Sequence, residues 1–113
     1  MIGKIALGLL VATPLSAPAA AHAQPLSASE IAARQANIAW HENAAAVNRY
    51  DGGVYVELAQ AYQQAGRTID AMNAYRRVMK LNNVMMETRN GDPVWSHEVA
   101  KAMLAHEVSL AAR

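Results

Sequence analysis

Cysteine and phenylalanine are both absent from the 113 residues. Without a thiol the chain can form no disulfide, present no sulfur nucleophile and take no lipid on an N-terminal cysteine. Aromatic residues make up only 5 %, and no stretch alternates apolar and polar residues as a half-buried strand would. Charge of either sign is scarce as an excess, with ten Lys plus Arg against nine Asp plus Glu. That balance excludes the basic footprint of a nucleic-acid binder and any acidic tail. A glycine-rich phosphate loop and a nucleophile elbow are missing too, and nothing marks an acid–base pair, so the chain is not expected to be an enzyme.

What is present begins with "MIGKIALGLLVATPLSAPAAAHAQ". Lys4 precedes an apolar run from Ile5 to Ala12, and small residues close on Ala21-His22-Ala23. This is the pattern of a secretory signal peptide with cleavage before Gln24. The apolar run is far shorter than the roughly 20 residues that cross a bilayer, and no later segment is apolar enough. The expectation is a signal at residues 1–23, a single small domain at 24–113, and a periplasmic or secreted location in a bacterium. Removing the signal takes away only Lys4, which leaves nine basic and nine acidic side chains. A core of this size is marginal by itself, so helix packing or association must stabilise it.

Alanine is abundant, which suits close-packed helices, and four are expected. Ser27 and Glu30 form the sequence of a capping box for a first helix ending near Asn48. Ile31, Ile38 and Ala45 lie along one line of it, with Trp40 and Val47 on a neighbouring line. Asp51 caps a second helix from about Gly53 to Ala65, closed by Gly66. Thr68 is placed to cap a third helix running to about Leu81, with Asp70 in its first turn and Arg76, Arg77 and Lys80 toward its end. In "NGDP", Asn90-Gly91 reads as a turn, Asp92 as a cap and Pro93 as the first residue of a fourth helix reaching Ala111. Trp95, Val99, Met103 and Leu110 mark its apolar side.

Residues 52–83 resemble one tetratricopeptide repeat, a 34-residue helix–turn–helix unit. Tyr55, Leu58, Ala59 and Tyr62 stand at the first-helix positions of that pattern, and Gly66 at its turn. Ala71, Tyr75, Val78 and Leu81 stand at the second-helix positions. The likeness covers about a third of the chain. Ala59 and Ala71 are expected to let the two helices approach closely, with Tyr62 and Tyr75 filling the spaces beside the crossing. One such unit cannot bury its own apolar face. The first and fourth helices must therefore cap it, or two chains must stack as a homodimer.

The resemblance implies an all-α fold and a non-enzymatic protein–protein interaction module with a protein or peptide partner. It places the partner face on Gly53, Val56, Glu57, Gln60, Gln63 and Gln64, a neutral and glutamine-rich set that reads equally as a solvated helix face. Trp40 and Trp95 are candidate anchors for a partner, or covers for the ends of the repeat. No cofactor or metal is expected, and no nucleic acid or membrane after cleavage. His97 and His106 are nine apart on one helix and cannot share an ion as a zinc motif requires. The alternative from another class is a copper binder that uses methionine and histidine. Met72, Met79, Met85, Met86 and Met103 supply its thioethers, and Met85-Met86 is the leading pair.

Overall fold

The computed structural model describes residues 24–111, so the expected signal and its cleavage bond lie outside the described residues. Within them the chain forms helices α1 (Ala28–Val47), α2 (Gly52–Gln64), α3 (Thr68–Met79) and α4 (Ser96–Ala111). Strands β1 (Met85–Glu87) and β2 (Pro93–Trp95) pair as a short antiparallel hairpin between α3 and α4. The fold is all-α, with that hairpin as its one departure among the described residues.

Local chemistry sets the helix ends. Ser27 Oγ accepts from the Glu30 N–H at 3.2 Å and the Ser27 N–H donates to Glu30 Oε2 at 3.0 Å, a complete capping box. Asp51 Oδ1 accepts from the Gly53 N–H at 2.9 Å and starts α2. At the other end of α2, Gly66 has φ +75°. The Arg67 N–H reaches the Tyr62 carbonyl at 2.8 Å, and the Gly66 N–H reaches Gln63 at 3.0 Å. This paired closure is a Schellman turn, which glycine enters without steric cost. It uses the chain through Arg67, so α3 starts at once. Thr68 is therefore the first helical residue and not the cap; Arg67 takes the cap position without a side-chain bond.

The core is where α2 and α3 meet. Val56, Ala59, Ala71, Ala74, Tyr75 and Val78 form one buried cluster, which Ala100 of α4 joins. Tyr55, Tyr62 and Met79 pack half-buried against it. Leu58 is buried and Leu81 half-buried. α1 lies against α2 and α4 against α3, so each helix of the central pair has an outer neighbour. Small side chains dominate the crossing, as close helix approach requires.

Two helix boundaries need correction. The third helix ends at Met79 rather than Leu81, where the Lys80 and Leu81 N–H groups tighten onto Arg77 and Val78. The fourth helix begins at Ser96, and Asp92-Pro93 belongs to the hairpin instead. Thr88 N–H donates to the Asp92 carbonyl at 2.8 Å and Gly91 N–H to Thr88 at 2.9 Å, while Gly91 takes φ +87°. That is a three-residue hairpin loop closed by a left-handed glycine. Asn83 caps α4 from a distance: its Oδ1 accepts from the His97 N–H at 3.0 Å. Ser96, fully buried, accepts from the Val84 N–H through its Oγ at 3.0 Å.

The tryptophans do not cover the repeat-like pair. Trp40 is 71 % exposed and Val47 82 %, because the buried line of α1 is Ile38 and Ala45. Arg34 donates to the Gln64 carbonyl and Tyr62 Oη donates to Glu42 at 2.6 Å, which fixes that same side of α1 toward α2. Trp95 is 40 % exposed and ends β2 rather than entering α4. Of the apolar side expected for α4, Val99 and Met103 pack on the core, while Leu110 is 45 % exposed.

Candidate functional site

The α2 face turned away from α3 is walled by the hairpin, and the space between them is a cleft in two adjoining hollows. The larger, of about 550 Å³, is bordered by Asp51, Gly53, Val54 and Glu57 on one side and by Val84 to Glu87 on the other. The smaller, of about 440 Å³, lies beneath the hairpin, between Val56, Glu57 and Gln60 of α2 and Met86, Val94 and Val99. Glu57, Met86 and Glu87 border both hollows, which therefore adjoin.

Elements meet here for simple reasons. Gly52 is buried at the α2 start, where a Cβ would stand 3.2 Å from both the Asn82 carbonyl oxygen and Ser96 Oγ. A side chain here would crowd both atoms, and glycine lets the segment after α3 pass this near without that crowding. Strand alternation then sends Met86 inward, half-buried against the core, and leaves Met85 52 % exposed. The hairpin is thus fastened to the body by Met86 and Val94 from one face.

The electrostatics are one-sided. Asp51, Glu57 and Glu87 border the larger hollow, and among the described residues no basic one does; Arg89 borders the smaller hollow. His41 Nδ1 lies 3.9 Å from Glu57 Oε1, is buried, and has no hydrogen-bond partner. Tyr62 on the adjacent turn is pushed up to about 12, by burial first and then by its bond to Glu42. Tyr75 is pushed up to about 12 by burial, and its hydroxyl donates to Gln63 Oε1 at 2.8 Å.

The expected partner face divides. Glu57 and Gln60 are exposed and face the cleft, and Gly53 borders it. Val56 is fully buried, so it forms floor and core rather than a contact surface. Gln63 is held by Tyr75, and Gln64 is exposed outside both hollows. Trp40 and Trp95 border neither hollow. Glu87 and Arg89 of the hairpin went unanticipated and Met86 was expected only as a copper ligand; Asn90-Gly91 signalled a turn, but the runs beside it are too short to signal strands.

The copper reading loses its leading pair as a joint site, since Met85 and Met86 take opposite faces of β1. Among the described residues no group of three or more His, Asp or Glu side chains is placed to hold a metal ion. His97 Nε2 lies 2.6 Å from the Leu81 carbonyl oxygen and His106 is exposed.

No family model, no curated protein and no solved structure matches the chain.

Proposed function

We propose that this chain is an exported, tetratricopeptide-like interaction module that takes a protein partner in the cleft between α2 and the hairpin. One observation carries the reading: two adjoining hollows faced by Glu57, Gln60 and Glu87, the larger bordered by three carboxylates and, among the described residues, by no cation. Clefts with an apolar floor and a few convergent polar groups are the usual form of a binding site. Val56 and Met86 supply the floor here. Export rests on the residue pattern of 1–23, and the repeat-like reading on the buried Ala59, Ala71 and Tyr75 beside the turn at Gly66.

The test is site-specific photo-crosslinking in producing cells. A photoreactive residue at Gln60 is expected to trap a discrete partner, and one at exposed Asn73 on α3 is not. Equal trapping from both positions, or none from Gln60, contradicts the reading.

Self-association is a second reading favoured by a separate observation. Ala33, Ala36, Trp40, Asn43, Ala44 and Val47 recur at three- and four-residue spacing along the outer side of α1, and none is charged. Light scattering on the mature protein is expected to give a dimer that Trp40→Glu dissociates. A monomer at high concentration rejects this second reading and leaves the cleft untouched.

A further inference from the structure

We infer that the outer edge of β1 accepts a third strand, supplied by an extended, lysine- or arginine-bearing segment of the partner. The inference rests on the cleft being the partner site and specifies how that site is filled.

Three features of the hairpin converge on it. The Ser96 N–H donates to the Val84 carbonyl at 2.8 Å, and the Thr88 N–H to the Asp92 carbonyl at 2.8 Å. In an antiparallel pair this alternation turns the backbone groups of Val84, Met86 and Thr88 toward β2 and those of Met85 and Glu87 away from it. Met85 and Glu87 thus offer one donor and one acceptor each along that edge, and no turn or loop bond among the described residues uses them. Second, Val84, Met85, Met86 and Glu87 border the larger hollow consecutively. Residues on a strand face alternate, so an unbroken run means that the hollow lies along the edge. Third, the opposite edge is closed to such pairing. Pro93 lies across from Glu87 in β2 and has no N–H to give.

The chemistry of the occupant follows from the walls. Asp51, Glu57 and Glu87 give the larger hollow three carboxylates, against the single cation Arg89 that borders the adjoining smaller hollow. A strand laid there would present one set of side chains to Glu87 on the Met85 face and the other to α2, where Val54 and Met86 lie beside Asp51 and Glu57, so a cationic residue alternating with an apolar one fits. Main-chain bonds then supply affinity and the alternate side chains selectivity, as in other strand-addition sites. A two-stranded hairpin is marginal by itself, and a third strand would complete it.

The probe is an end-capped octapeptide alternating lysine and valine, titrated into the mature chain. Two N-methylated counterparts, one at every lysine and one at every valine, remove the donors of one peptide edge or the other. Strand addition predicts that one methylated form loses roughly tenfold in affinity or more while the other keeps most of it. It also predicts that the Met85 and Glu87 amide protons exchange roughly tenfold slower with the unmethylated peptide bound, and that Asn90 in the loop does not. Binding that is indifferent to both methylations, with no slowing at Met85 and Glu87, overturns strand addition and leaves the cleft as partner site. Absence of binding at millimolar peptide also overturns it. Failure of the Gln60 crosslink instead removes the cleft itself.

Discussion

Ala71 is 2 % exposed and shares its buried cluster with Ala59, Val56 and Tyr75. The three extra carbons of a leucine have no room there. Ala71→Leu is expected to lower unfolding free energy by about 1–3 kcal/mol in a urea titration. The same change at exposed Ala46 should stay within about 0.5 kcal/mol. If the two substitutions cost the same, small residues are not what sets the α2–α3 approach. Tyr75 makes a second residue-level prediction. Its folded pKa of about 12 lies above the ordinary value of 10.0, so the neutral phenol is the form the fold holds. Stability from this group is complete below pH 10 and is lost as pH climbs toward 12. Chemical denaturation of wild type and Tyr75→Phe should therefore show the wild type losing its advantage across that window. Tyr62, raised to about 12 as well, leaves a residual slope in the variant. A constant difference between the two proteins from pH 9 to 12 would contradict the burial account.

Between elements, the hairpin matters most because it walls the cleft. Gly91 holds φ +87° with nothing within 4 Å of a built Cβ, so space is free there and only backbone conformation is at issue. Gly91→Ala should cost about 1 kcal/mol and Gly91→Asn less, since asparagine tolerates the left-handed region. Thermal denaturation with amide exchange across Val84–Trp95 measures both. Equal costs would mean the loop has changed type. Much of this level was legible beforehand. Ser27 with Glu30, and Asp51 before two glycines, announce the starts of α1 and α2 through local bonds that depend on few other residues. Gly66 announces the turn in the same way. The hairpin was not legible, because strands of three residues give too short an alternation to register. Asp-Pro also suits a helix start as well as it suits a strand entry. What decides between them is tertiary: Gly52 admits the chain near Asn82 and Ser96, and Asn83 caps α4 in place of Asp92. Trp40 misled for a related reason. α1 carries apolar residues on two sides, and spacing alone does not say which side meets α2.

At the scale of the whole molecule, a central helix pair is covered on one side by α1 and on the other by α4, and its remaining face opens into a cleft whose larger hollow is acidic. The part of α2 that lines the cleft was legible at Glu57 and Gln60. The hairpin wall was not, because it is assembled from residues about thirty positions away in sequence. The central claim, that this cleft is where a cationic partner segment sits, has a direct test in charge reversal. Glu57→Lys/Glu87→Lys changes two exposed side chains and should leave the circular dichroism and melting of the mature chain unaltered. Fluorescence anisotropy with the lysine–valine peptide should then show affinity falling by roughly tenfold or more, with a glutamate–valine peptide gaining what the lysine peptide loses. Unchanged affinity for both peptides in a normally folded variant would contradict the account.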